Sequence, residues 1–366
     1  MMGGRIVFYS PTLTPVGGVV KIFDYMNHAR DLGYQLHLVC PQELTDDSTI
    51  RDLPQFAPVL DAMTMSGDLY FPIQDDDLVF FSWPAHYQQI SHCLPPGFDH
   101  HRLIHIVQNV RHGNPQWIGG YATRLLARPL SRIMISHETM EACRRWLNPR
   151  SPTVTIVEGH NWEYFARQRY GGLPDPVRVG YTTWKSPVGV EVEELLADDS
   201  RFVFRSIRGP AGWTEIAELY DWSDAFMGCP GPEEGFYLVG LEALAAGCLL
   251  IMADAVGNRA YARWGENCTR VRLDDAEAYC RELVTMADWS TQQVEDRRTR
   301  GYDVLQQFTL DREQTEFARF LERIESTRAP GDRSDRPLEA IDPQPEIRVD
   351  DERIDSDAET RLSRQV

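Results

Sequence analysis

Lysine is nearly absent from this chain. Its 366 residues include 37 basic side chains, of which only Lys21 and Lys185 are lysines, against 55 acidic ones, for a formal charge of −18. No excess positive field exists to displace counterions from a phosphate backbone, which argues against a nucleic-acid partner. A local basic pocket is still allowed. The seven cysteines (Cys40, Cys93, Cys143, Cys229, Cys248, Cys268, Cys280) are odd in number, scattered and without a CxxC pair. That pattern speaks against a zinc ribbon or a disulfide framework and predicts reduced thiols in a cytoplasmic protein. No apolar run approaches the roughly 18–20 residues that cross a bilayer. Residues 1–5 enter the apolar stretch 6–9 without the layout of a signal peptide. There is no HExxH, Walker loop or GxGxxG on a strand-to-helix turn, and no nucleophile elbow.

What the chain does contain is repeated strand–helix alternation. Residues 5–10 read as a strand and 11–18 as a loop ending in Gly17-Gly18. Residues 19–32 have helical spacing, and 35–40 form the next strand. Such a βαβ unit implies a parallel sheet with right-handed crossovers. Apolar runs at 78–82, 103–107, 132–136 and 153–157 continue the theme. A turn-rich stretch, Tyr170-Gly171-Gly172-Leu173-Pro174-Asp175-Pro176, suits a linker. Beyond it, strands are predicted at 177–181, 202–207, 224–229 and 249–253, with helices at 190–196, 213–220, 237–246, 274–287 and from 292 onward. The expected organisation is an N-terminal Rossmann-like domain (1–170), a linker (171–176), a second Rossmann-like domain (177–310) and a helix (311–326). The two domains are expected to face each other across a cleft. Residues 327–366, rich in acidic residues, arginine and proline and free of aromatics, are expected to be disordered.

Chemistry concentrates in Gly231-Pro-Glu-Glu-Gly-Phe-Tyr-Leu-Val-Gly-Leu-Glu242. A strand ends, a Pro/Gly loop turns, and a helix begins near Phe236 or Tyr237. This presents free N–H groups and the positive end of a helix at the ligand edge of a parallel sheet. A carboxylate beside a phosphate site is unfavourable for the phosphate itself. Glu234 and Glu242, roughly 10–12 Å apart along the ligand, therefore suit hydroxyls on either side of a diphosphate. An amphipathic helix with two solvent-facing glutamates fits the same spacing equally well.

The pattern Glu234-Gly-Phe-x-Leu-x-x-Leu-Glu242-Ala-Leu-Ala-x-Gly247 resembles the Glu-x7-Glu signature of retaining glycosyltransferases of the GT-B fold, family 4. That resemblance implies the α/β GT-B fold, with residues 1–170 on the acceptor side and 177–310 binding the nucleotide sugar, Glu234 at the donor hexose, Glu242 at the ribose, and Gly235, Phe236, Tyr237 and Leu238 near the diphosphate. Gly17-Gly18 resembles the family's glycine loop, which brings Gly18 to the donor. Ser136-His137-Glu138-Thr139 resembles its serine-led turn, and Glu158-Gly159-His160-Asn161 its Asn-Gly-Val-Asp segment. The family's basic pair is reduced here to Lys185, in Gly180-Tyr-Thr-Thr-Trp-Lys185, as the phosphate ligand. Arg208 or Arg259 is the candidate second cation. Tyr237 stands where a second glycine is usual and should narrow the sugar pocket. Asn109, with Gln108 beside it, ends a strand where relatives carry a His or Asp; His86, Arg111 and His112 are further candidates there.

The implied reaction is transfer of a hexose or deoxyhexose, rhamnose included, from a UDP, dTDP or GDP sugar to a glycan or glycolipid hydroxyl. Retention, no metal and no further cofactor are expected. A related epimerase or phosphorylase, and a non-catalytic scaffold in polysaccharide assembly, are the alternatives. Asp75-Asp76-Asp77 precedes a strand, away from the ligand edge, and reads as a solvated loop rather than a metal site. Arg124, Arg128 and Arg132 beside Trp117 and Tyr121 suggest peripheral contact with the cytoplasmic membrane face. Lys21 reads as an ordinary helix residue.

Overall fold

A computed structural model describes residues 3–41, 50–209 and 211–326. The expected disordered tail lies outside the described residues. The first sheet is built from β1 (Arg5–Tyr9), α1 (Gly17–Asp31), β2 (Gln35–Val39), α2 (Ala57–Ala62), β3 (Met63–Ser66) and β4 (Leu78–Phe81). It continues through α3 (His86–Cys93), β5 (Leu103–Val107), α4 (Tyr121–Leu126), β6 (Ser131–Met134), α5 (His137–Cys143) and β7 (Thr153–Thr155). Its seven strands are all parallel, in the order β3-β2-β1-β4-β5-β6-β7. Central strands such as Ile6–Tyr9 and Leu78–Phe81 are apolar at every position and fully buried, because helices cover both faces.

The second sheet follows: β8 (Val177–Thr182), α6 (Val188–Leu195), β9 (Phe202–Ile207), α7 (Trp213–Trp222), β10 (Ala225–Gly228), α8 (Leu238–Ala245), β11 (Leu249–Ala253) and β12 (Cys268–Val271). Its order is β12-β11-β10-β8-β9, again parallel. Helices α9 (Ala276–Ala287), α10 (Thr291–Leu305) and α11 (Leu310–Ser326) complete the described residues. Each sheet has one place where the crossovers leave in opposite directions, between β1 and β4 in the first and between β8 and β10 in the second. At those places open α/β sheets form ligand crevices.

Several expectations need correction. β3 and β12 were not foreseen, because both are four-residue edge strands half made of polar residues. Gly17 and Gly18 are not in a loop but in the first turn of α1. Asp77 is not solvated: it is fully buried and bound by Arg5, whose Nε donates to Oδ1 at 2.8 Å. Arg132 is likewise buried, donating to the carbonyls of Leu125, Arg128 and Leu130. It closes the end of α4, so the three arginines do not make a basic face, and Tyr121 is also buried. No helix among the described residues is long and apolar enough to cross a membrane.

Lys21 is the largest departure. It is buried, and its Nζ donates to Gly159 O at 2.7 Å and to both oxygens of Glu313 at 3.0 and 2.9 Å, with Asp24 at 2.9 Å. Glu313 also meets His28 Nε2 at 2.9 Å and accepts from Gly159 N at 3.2 Å. This fastens α11 across α1, where Phe317 packs on Tyr25 and Phe80 at 5.0 and 5.5 Å between ring centres.

Glu158 lies in the same cluster without a cation of its own. Burial, opposed by Lys21 and assisted by Glu313 and Asp24, pushes its carboxyl up to about 8. The folded protein therefore holds a proton there that the unfolded chain has lost, and stability falls as pH rises through that window. Glu158→Gln should gain stability over the wild type between about pH 4.5 and 8, by at most about 1.4 kcal/mol per pH unit. Urea unfolding at several pH values checks this; a pH-independent difference would contradict it.

Candidate functional site

The loop from Cys229 to Tyr237 connects β10 to α8 at the crevice of the second sheet. The first turn of α8 has no side-chain cap and no acidic residue; Gly240 N donates to Tyr237 O at 3.2 Å, and the N–H groups of Leu238 and Val239 have no acceptor within the helix. Lys185, in the turn after β8 on the other side of the crevice, is half-exposed. Its Nζ lies 3.7 Å from Glu234 Oε1. Two residues chosen from widely separated sequence segments are thereby brought together. Arg208 directly follows β9, whose Ile207 pairs with Thr182 of β8, and is exposed. Arg259 is instead held by Asp254, with Nε to Oδ1 at 2.8 Å.

The loop is seated from the first sheet's side by close backbone approach. A Cβ on Gly235 would stand 2.1 Å from Gln108 O and 2.7 Å from Asn109 Cα. Ser136 caps α5 by accepting from Thr139 N at 3.1 Å, and its Oγ also donates to Gly235 O at 3.0 Å. Gly257 approaches from below, where a Cβ would lie 2.6 Å from Glu234 O. Gln108 Nε2 donates to Gly18 O at 2.9 Å, while Gly17 faces Leu238. Gly18, Asn109, Gly235 and Leu238 are therefore neighbours.

Phe236 and Tyr237 behave otherwise. Both side chains are buried: Phe236 packs on Tyr261 and Phe308, and Tyr237 O accepts from Tyr261 OH at 2.6 Å. They anchor the loop to the core, so Tyr237 does not project into the crevice as expected. Asn109 is occupied in capping a turn, its Oδ1 accepting from Arg111 N at 3.0 Å and its carbonyl facing His112 Nδ1 at 3.0 Å.

Glu242 is also largely buried, and both its oxygens are engaged. His160 Nε2 meets Oε1 at 2.9 Å, and Tyr220 OH donates to Oε2 at 2.9 Å. The His160 ring stacks beside Phe165 and Trp213, with centres 5.9 and 5.4 Å away. Its backbone N–H donates to Phe308 O at 3.0 Å. A carboxylate accepts about four hydrogen bonds, so two acceptor positions remain. Neither His160 nor Tyr220 stands out in the sequence. They lie 82 and 22 residues from Glu242, and the one available signal was a His where the resembled segment carries Val.

The sequence matches no protein-family profile and no curated protein. Solved structures are similar in fold. Alr3699/HepE from Anabaena, solved with UDP and glucose, superposes with a TM-score of 0.61 at 14% identity over 87% of this chain and 99% of that one. Trehalose-6-phosphate synthase, studied for glycosyl transfer with retention, gives 0.62 at 13% over 87% and 99%. Sucrose-phosphate synthase from Thermosynechococcus elongatus gives 0.58 at 14% over 88% and 100%.

The tight seat of Gly235 is testable. Gly235→Ala should lower the melting temperature by several degrees, because the added methyl meets backbone rather than a side chain that can turn away. Gly67→Ala, whose Cβ would meet nothing nearer than Cys40 O at 3.8 Å, is the control and should change stability by less than about 0.5 kcal/mol. Equal melting temperatures for the two variants would contradict the packing described. With two parallel sheets of this order and these structural counterparts, the chain has the GT-B fold.

Proposed function

We propose that this protein is a glycosyltransferase that takes its sugar from a nucleotide diphosphate donor bound at the β8/β10 crevice. The observation that carries this reading is the meeting of Lys185, Glu234 and the uncapped start of α8 at a sheet edge where such folds bind ligands. Lys185 and the α8 amides neutralise the diphosphate as it leaves, with Arg208 the candidate second cation. Glu234 accepts hydrogen bonds from the donor hexose and fixes its orientation. Glu242, held by His160 and Tyr220, uses its remaining acceptor positions for the ribose. The acceptor hydroxyl loses its proton to a leaving phosphate oxygen on the same face, giving retention.

These cations take over charge neutralisation, so transfer is expected without added divalent metal. UDP is the first donor to test because a structural counterpart was solved with UDP-glucose. The second reading is a non-catalytic nucleotide-sugar binder. It is favoured by Gln108 and Asn109, which cannot shuttle protons at the cleft.

A thermal-shift panel of nucleotide sugars tests the donor site, since a ligand that binds only the folded state stabilises it by mass action. At least one nucleotide sugar should raise the melting temperature. Lys185→Ala should weaken that donor by about tenfold or more and abolish transfer or donor hydrolysis. Glu242→Ala should weaken nucleotide binding. Stabilisation by no nucleotide sugar, or wild-type turnover by both variants, would overturn the assignment. Binding without transfer or hydrolysis would favour the second reading.

A further inference from the structure

Lys185 is not held in place by the carboxylate it faces. At 3.7 Å its Nζ is beyond hydrogen-bonding distance of Glu234 Oε1, and the side chain is 37% exposed. A flexible four-carbon stem in that setting gains little from the ion pair. What places the ammonium group is the turn that carries it, residues 183–187 between β8 and α6. That turn is anchored at both ends. Thr183 N donates to Ile207 O at 3.1 Å, on the β9 side. Ser186 is buried; its Oγ accepts from Val188 N at 3.3 Å and donates to Asp274 Oδ1 at 2.6 Å. Lys185 lies between the two anchors.

Asp274 is an unusual anchor. It lies between β12 and α9, 88 residues from Ser186. Its backbone has φ 53, and among the described non-glycine residues only Ile118 shares a positive φ. The left-handed region is unfavourable for a residue with a Cβ, though less so for aspartate than for most, and such outliers persist where the surroundings enforce them. The start of α9 is pinned on its other side as well. Asp275 caps the helix, its Oδ1 accepting from Ala278 N at 2.9 Å. One turn further on, the buried Tyr279 hydroxyl donates to Gly228 O and accepts from Ala253 N at 3.0 Å.

The start of α9 therefore touches both walls of the crevice. Tyr279 grips the ends of β10 and β11, and the Glu234 loop departs from the end of β10. Asp274 grips the turn that carries Lys185. Strand pairing alone does not reach that far: the β8–β10 ladder ends with Tyr181 opposite Met227, four residues before Lys185. Beyond it, the bond from Ser186 to Asp274 ties the Lys185 turn to the side of the crevice from which Glu234 comes.

We propose that Asp274 is a positioning residue for the donor site: through Ser186 it holds the turn after β8 so that the Lys185 ammonium stands opposite Glu234, facing it without being bonded to it and free to bond a phosphate oxygen. Asp274 acts as a hydrogen-bond acceptor and not as a charge, since a further carboxylate near a diphosphate is unfavourable; an asparagine would serve as well. The use of the brace for a diphosphate rests on the transferase reading; the bracing of Lys185 does not.

Selective [15N]lysine labelling of the full chain tests this, because Lys21 and Lys185 are its only lysines and give two backbone amide signals. Lys21, on α1, is the internal control of folding. The Lys185 amide should have an order parameter of about 0.85 in the wild type and in Asp274→Asn, and fall below about 0.6 in Asp274→Gly and Ser186→Ala, with Lys21 unchanged throughout. Asp274→Gly also relieves the left-handed backbone, so it loosens Lys185 while keeping a melting temperature close to that of the wild type. UDP should bind about fivefold or more weakly to Asp274→Gly and Ser186→Ala, and within about twofold of wild type to Asp274→Asn. In a Lys185→Ala background, Asp274→Gly should cost less than about twofold further, because its effect passes through the lysine. A Lys185 amide as rigid in Asp274→Gly as in the wild type, unchanged UDP affinity there, or an equal loss in the Lys185→Ala background would overturn the proposal. Loosening of Lys185 in a protein that binds no nucleotide would leave the brace standing and sink the transferase reading; UDP binding with a Lys185 amide unmoved by these variants would do the reverse.

Discussion

A buried ammonium group holds this molecule together. Taking Lys21 out of water costs several kcal/mol, and the cost is offset only because Glu313, Asp24 and the Gly159 carbonyl satisfy it at hydrogen-bonding distance. The consequence reaches well beyond one ion pair. Lys21 sits on α1, Glu313 on the last helix, and Gly159 on the segment that leaves the first sheet for the second. One cluster thus fixes the place where the chain crosses between sheets twice. The next residue, His160, passes that fixation to Glu242 and so to α8. A line of buried hydrogen bonds runs from the first helix to the helix whose N-terminus faces the candidate donor site.

The site loop depends on this frame. It has little side-chain freedom of its own: Phe236 and Tyr237 point into the core, Gly235 touches backbone, and Ser136 holds its carbonyl. What is left facing the crevice is Glu234, with Lys185 opposite, and the open end of α8. Polar capacity is concentrated on few atoms, while the surrounding residues supply position. In a chain that carries a formal charge of −18, the proposed diphosphate site relies on one lysine and the start of α8.

Most of the architecture was legible in the sequence, because central strands such as 6–9, 78–81 and 249–253 are continuous apolar runs between helical patterns. β3 and β12 escaped because each is a four-residue edge strand half made of polar residues. Lys185 stood out by the scarcity of lysine and Glu234 by the strand–turn–helix pattern, but their encounter at 3.7 Å depends on the packing of β8 beside β10 and was not legible. Nor was the seating of Phe236 and Tyr237 in the core, since Phe236 packs on Tyr261 and Phe308 and the Tyr237 carbonyl accepts from Tyr261, neither of which is near them in sequence. The buried state of Lys21 was hidden for the same reason: its main partner is 292 residues away, and a helix position gives no sign of what will be laid across it. Charged residues are where local pattern informs least, because a solvated side chain and one satisfied by distant partners have the same spacing.

The central claim is that a nucleotide diphosphate sugar occupies the crevice between β8 and β10. A crystal structure of the protein grown with UDP-glucose tests it most directly. The account predicts the diphosphate within hydrogen-bonding distance of Lys185 Nζ and the first-turn amides of α8, with the hexose against Glu234. A nucleotide bound elsewhere, or bound in the crevice with Lys185 and Glu234 still paired to each other and touching neither phosphate nor sugar, would contradict it.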